Sequence, residues 1–239
     1  ALFIVFINIA WLYGLYNISI VVFAIYYRWF KKEKLQPIAL TTTPPVALLY
    51  TTCNDFAEES VLSCVNQVYP DYTVYLLDDS SNEASKNQVD EFANRYPGLV
   101  KVIRRNNRHA FKAGNLNNAL NLINEKYFAI ADADEILPAD FLAKTVPLLE
   151  ADESCGFVQA NHRANPNTKS RLSKSLGAGI DIHWKWYQPL RNDFGFVMFL
   201  GHGAVLRREC WEKIGGFPEI VSEDLGFAIR ARELGYRGY

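Results

Sequence analysis

The chain has 239 residues, 49% of them apolar and 21% charged, which suits one sizeable folded domain with an appendage. Lys plus Arg number 25 against 26 Asp plus Glu, a formal charge of -1, so no basic excess draws the chain onto nucleic acid. Cys53, Cys64, Cys155 and Cys210 stand far apart with no C-x-x-C pair, which argues against zinc and against a disulfide framework, and for reduced thiols serving as buried fillers.

The chain opens on Ala1 and stops at Gly235-Tyr-Arg-Gly-Tyr239, where a helix hands over to a strand, so both ends read as open. Ala1 to Tyr27 carries no charged residue. As a helix it is about 40 Å long at ~1.5 Å per residue, enough to cross a hydrocarbon core of ~30 Å. Arg28, Lys31, Lys32 and Lys34 follow at once and place the next residues in the cytoplasm. A cleaved signal peptide fits poorly, because the apolar run is too long and no small-residue cleavage pattern follows. The expected organisation is a transmembrane helix over 1–30, a cytoplasmic linker over 31–45 and a folded domain over 46–239, in an integral protein of the plasma or inner membrane.

From Val46 strand and helix patterns alternate. Strands are expected at Val46–Thr51, Tyr72–Leu77, Leu99–Ile103, Tyr127–Ala131, Phe157–Ala160 and Val197–Leu206. Helices are expected from a capping box at Asp55 to about Val68, then at Ala84–Tyr96, Ala113–Ile123, Pro138–Leu149, Lys169–Trp186 and Ser222–Leu234. This alternation predicts an α/β fold, a mostly parallel sheet with helices on both faces.

Ligands of such sheets bind at the carboxyl ends of the strands. Asp78-Asp79 and Asp132-Ala-Asp134 occupy two of those ends. In an extended chain Asp132 and Asp134 face the same way, about 6.6 Å apart, and two carboxylates that close repel unless a cation joins them. Hard oxygen ligands suit Mg2+ or Mn2+, although an isolated D-x-D equally describes a solvated turn. Asp78 and Asp79 suit either a helix cap or contacts to a nucleobase or ribose. Arg104, Arg105, Arg108, His109 and Lys112 lead into Ala113-Gly114-Asn115, either a pyrophosphate site or an exposed charged loop. Ser222 is a good N-cap, and Asp224 either offsets the helix dipole or acts as a general base. Trp184, Trp186 and Tyr187 could equally stack on sugars or mark a membrane interface. His162 and His183 have no metal spacing, and His202 between Gly201 and Gly203 reads on its own as structural.

Taken in order, these segments resemble the family 2 glycosyltransferases of GT-A fold, most of all the membrane-embedded cellulose, chitin and hyaluronan synthase type. Thr51-Thr-Cys-Asn-Asp55 loosely resembles the opening P-T-Y-N-E motif, and Leu77-Asp-Asp-Ser80 the acidic base-binding motif. Lys112-Ala-Gly-Asn115 resembles K-A-G-N, Asp132-Ala-Asp134 the metal-binding D-x-D, Gly215-Gly-Phe217 the G-G-F and Ser222-Glu-Asp224 the T-E-D motif. Phe199 to Arg208 resembles the acceptor segment. The resemblance implies that Thr52, Asp78, Asp79, Lys112, Asn115 and Asp132 bind the nucleotide-sugar, a UDP-sugar first of all. It implies that Asp132 and Asp134 hold Mg2+ or Mn2+, that Gly201, His202 and Glu223 meet the acceptor, and that Asp224 is the base of an inverting transfer. The partners implied are a nucleotide-sugar donor, a saccharide or lipid-linked acceptor and membrane lipid, with the catalytic domain cytoplasmic. Three departures stand out: Cys53 replaces the tyrosine expected over the base, His202 replaces a small residue, and the Q-x-x-R-W motif of processive synthases, whose place in the family lies beyond Tyr239, is not in this sequence. Transfer to a lipid carrier and a non-catalytic nucleotide-sugar-binding subunit are the competing readings.

Overall fold

The computed structural model describes residues 2–30, 37–165 and 170–239, so the predicted roles of Lys31, Lys32 and Lys34 and the start of the helix expected at Lys169 lie outside the described residues. In chain order the elements are α1 (Leu2–Phe30), β1 (Val46–Thr52), α2 (Glu58–Val65), β2 (Tyr72–Asp78), α3 (Glu83–Arg95), β3 (Val100–Ile103), α4 (Phe111–Leu120), β4 (Tyr127–Asp132), α5 (Phe141–Ala151) and β5 (Cys155–Gln159). There follow α6 (Arg171–Ile182), a π-helical turn (His183–Tyr187), α7 (Gln188–Phe194), β6 (Ala204–Arg207), α8 (Arg208–Ile214), α9 (Glu223–Glu233) and β7 (Arg237–Gly238). They form two compact units, Ala1–Lys34 with His162–Phe196, and Leu35–Asn161 with Val197–Tyr239.

In the first unit, α1 is long and apolar enough to cross a membrane. Ala24 is buried and the other side chains are exposed or half-buried. Its two amides are satisfied locally: Asn8 and Asn17 each donate to the carbonyl four residues back, at 2.7 Å. That is the arrangement an apolar surrounding requires. The helix end packs on Phe194, with ring centroids 5.7 Å away at Phe23 and 4.9 Å at Tyr27. Arg28 lies over Trp186 at 5.1 Å. The helix expected to end at Trp186 runs on through the π-helical turn to Phe194.

The second unit is a seven-stranded sheet in the order β3-β2-β1-β4-β6-β5-β7. β1 pairs parallel with β2 and β4, and β2 with β3, whereas β6 runs antiparallel to both β4 and β5. β1 (VALLYTT) and β4 (YFAIAD) are buried almost throughout, as central strands covered on both faces must be. One core cluster joins Leu48, Tyr50, Leu76, Val89, Phe92, Tyr127, Leu142 and Val205.

Three expected elements differ. The capping box at Asp55 does not form: α2 starts at Glu58, and the Asp55 carboxylate turns back to accept from Thr52 Oγ1 at 2.9 Å and the Cys53 amide at 2.6 Å. The strand expected over Val197–Leu206 contracts to β6, because Gly201 and Gly203 take φ of 82° and 61°, which ends the extended run. The Ser222 side chain occupies the N-cap position of α9 without accepting a capping bond.

Arg207 is buried and ties β6 to the neighbouring turn. It donates to the carbonyls of Cys155 at 2.9 Å, Leu149 at 2.5 Å and Asp152 at 3.1 Å. Arg207→Met removes these bonds, leaving the Asp152 carbonyl only its bond from the Cys155 amide at 3.0 Å, and an unsatisfied buried group costs about 1–3 kcal/mol. Urea unfolding is expected to show a loss of about 3 kcal/mol; a loss below about 1 kcal/mol would count against this account.

Candidate active site

The carboxyl ends of β1, β2 and β4 and the start of α4 enclose a cavity of about 580 Å³. Its walls include Thr51, Thr52, Cys53, Asp79, Arg108, Phe111, Lys112, Asn115, Asp132 and Asp134. Parallel pairing explains the assembly, since the register sets Thr51 beside Asp132 and Thr52 beside Asp78.

The two acids of Asp78-Asp79 separate. Asp78 is fully buried, accepts from the Ser80 amide at 2.9 Å and pairs with Arg104 Nε at 2.7 Å. It is not among the residues lining the cavity. Asp79 lines it and takes both arms of Arg105, at 2.9 and 2.7 Å. The same guanidinium donates to the carbonyls of His109 at 2.6 Å and Phe111 at 2.7 Å. For Arg105 the sequence left a pyrophosphate site and an exposed charged loop open; here it braces Asp79 against the start of α4. Cys53 was expected as buried filler; it is half-buried and on the cavity wall, with Sγ 3.5 Å from the Asp79 carbonyl oxygen.

Lys112 Nζ lies 2.5 Å from Asp132 Oδ1, which also accepts from Thr51 at 2.7 Å. Asp134 is exposed on the cavity wall. Asn115 is only 3% exposed and donates to the Leu77 carbonyl at 3.2 Å. Its Oδ1 has no partner among the described residues, a buried acceptor at the cavity wall. Gly114 is dictated by this packing, because a Cβ there would collide with the His109 carbonyl and Arg105.

The predicted acceptor residues gather beside this cavity. A Cβ built on Gly201 would lie 3.6 Å from Asp224 Cβ and 3.8 Å from Lys112 Nζ, so the glycine brings Asp224 towards the Lys112–Asp132 pair. Gln159 fixes that loop, donating to the carbonyls of His202 at 2.9 Å and Gly203 at 3.1 Å and accepting from the Leu200 amide at 2.9 Å. Behind it Phe199, Phe217 and Phe227 stack within 4.9–6.0 Å of one another and seat α9. His202 Nδ1 lies 3.3 Å from Glu135, whose carboxylate raises the imidazole pKa above its usual 6.5. Burial raises the Glu223 pKa, with the charge of Asp224 adding to it. Sequence reasoning passed over Glu135 and Gln159, which are remote from the loop they hold, and Thr51, which only strand order reveals as the neighbour of Asp132.

The family model "Glycosyl transferase family 2" matches residues 49–215. The chain is 32% identical over 199 residues to a β-monoglucosyldiacylglycerol synthase of Trichormus variabilis, covering 78% of this chain and 41% of that protein. It is 27% identical over 234 residues to a putative cellulose synthase 2 of Komagataeibacter xylinus, covering 94% of this chain and 15% of that one. The chain therefore spans well under half the length of these relatives. A mannosyltransferase from Pyrobaculum calidifontis, solved with GDP-Man and Mn2+, superposes with a TM-score of 0.71 at 24% identity over 95% of this chain and 63% of that one. TarS 1-349 of S. aureus, in complex with UDP-GlcNAc, does so with a TM-score of 0.60 at 15% identity over 81% of this chain and 55% of that one. The sheet is thus that of the GT-A fold, and the chain belongs to glycosyltransferase family 2.

Proposed function

We propose that this chain is the donor-binding and catalytic part of an inverting glycosyltransferase, moving a sugar from a nucleotide-sugar, a UDP-sugar first of all, to a growing polysaccharide at a membrane. The observation that carries this reading is the cavity, where Asp79, Lys112, Asn115, Asp132 and Asp134 from three separate segments share one lining. Asp79 meets the nucleoside, with Thr52 beside it; Asp78 supports that end through the Arg104 pair. Lys112 faces the diphosphate, and the unpartnered Asn115 Oδ1 accepts from the donor.

Asp132 and Asp134 are the residues that would hold Mg2+ or Mn2+. Their carboxylate oxygens suit a hard cation, and both stand on the cavity wall. When bound, such a cation stabilises negative charge on the departing diphosphate. The mannosyltransferase solved with GDP-Man and Mn2+ supports a divalent cation here. Asp224 takes the proton of the acceptor hydroxyl, that oxygen attacks the anomeric carbon from the face opposite the diphosphate, and the nucleoside diphosphate leaves. Gly201, His202 and Glu223 form the acceptor side. Residues 1–30 anchor the chain, 31–45 link it, and 46–239 carry the GT-A domain in the cytoplasm.

The greater identity to the β-monoglucosyldiacylglycerol synthase favours a second reading, transfer to a lipid acceptor. Turnover of a panel of UDP- and GDP-sugars by the full-length protein in membranes, with product structure determined, tests both. A polymer is the expected product; a glycolipid would establish the second reading, and no turnover of any donor would overturn the function.

A further inference from the structure

We infer that Phe111 is the stacking platform for the donor's nucleobase, an inference that rests on the nucleotide-sugar reading above. Phe111 is the aromatic side chain among the described residues lining the cavity, yet 73% of it is exposed. A large exposed ring on a cavity wall is surface that a flat ligand would cover. The backbone is arranged to present it. Ala110 and Phe111 both adopt left-handed conformations, with φ of 54° and 45°, which residues with a side chain rarely take and which concentrate at ligand clamps.

The conformation is held from two directions. The Phe111 amide donates to the Arg108 carbonyl at 3.2 Å, and the Phe111 carbonyl accepts from Arg105 at 2.7 Å. Arg105 spends its other donors on the Asp79 carboxylate and the His109 carbonyl. One buried guanidinium therefore fixes the spacing between an acid and an aromatic ring on the same cavity. Other parts of the wall, Thr51, Thr52, Cys53 and Ala57, carry small side chains that leave room for a planar group. Every nucleobase offers a π-face, so Phe111 supplies affinity for the base while the polar wall around Asp79 is left to choose among bases.

The test uses full-length protein in detergent and calorimetry with Mn2+ present. The probes are UDP, GDP and inorganic pyrophosphate, the last carrying the charge without a base. Phe111→Ala is expected to weaken binding of the preferred nucleotide roughly 5- to 150-fold, the range measured for base–aromatic stacking, and to leave pyrophosphate binding unchanged. Phe111→Trp is expected to retain nucleotide affinity and Phe111→Leu to lose most of it. Three results overturn the role while leaving the nucleotide-sugar reading intact: an unchanged Phe111→Ala, an equal loss for nucleotide and pyrophosphate, or a Phe111→Leu variant that binds like the wild type. A wild-type protein that binds neither nucleotide overturns the parent reading and this inference with it.

Discussion

Asp224→Asn is expected to lower kcat roughly 10²–10⁴-fold while leaving donor affinity near its original value. The competing explanation for an acid in the first turn of α9 is that it serves the helix. The geometry separates the two. Asp224 Oδ1 accepts from the Leu225 amide at 2.7 Å, a bond that an isosteric amide oxygen also makes, so the variant keeps its fold. An amide cannot take a proton from a hydroxyl, so only a catalytic role predicts a large loss of rate. Near-normal kcat in the full-length variant would refute the base assignment. A parallel fall in donor affinity would indicate a structural role.

The second large effect is expected at the proposed metal site. Asp134→Ala should remove most of the gain in UDP affinity that Mn2+ provides, roughly 100-fold, since even residues that only orient a ligand cost 10–100-fold when changed. Asp134 is the better position to alter because Asp132 has other duties, accepting from Thr51 and pairing with Lys112. The comparison is calorimetric, with UDP titrated in the presence of Mn2+ and of chelator. An Asp134→Ala protein with an unchanged response to Mn2+ would remove that residue from the site.

Much of the sheet was legible because its central strands are nearly unbroken apolar runs. Val46–Thr52 and Tyr127–Asp132 bury almost every side chain, so length and apolarity located them within a residue or so. The acidic ends of β2 and β4 were legible for the same reason. What depends on partners distant in sequence was not. Nothing local distinguishes Asp78 from Asp79; the difference is that Arg104 takes one into the interior and Arg105 braces the other at the cavity. The fold-back of Asp55 required the free amide of Cys53, which competed successfully with the helix end. The start of α4 at Phe111 was hidden because two left-handed residues precede its regular turns, a conformation that neither alanine nor phenylalanine advertises.

The pair of Lys112 and Asp132 has a consequence for the order of assembly. In this structure the lysine ammonium is the counterion of the carboxylate, at 2.5 Å. A cation arriving alone must evict that ammonium and strand it, and a diphosphate arriving alone must draw the lysine away from an acid left uncompensated. If Asp132 holds the cation and Lys112 the diphosphate as proposed, the two arriving together would exchange partners, carboxylate to cation and ammonium to diphosphate, with no charge orphaned. Such a swap is heterotropic linkage, and by reciprocity each ligand sharpens the affinity for the other by the same factor. On the proposed metal and diphosphate roles, the cleft would behave as a coincidence detector, closing its charges on the metal–nucleotide complex rather than on either component.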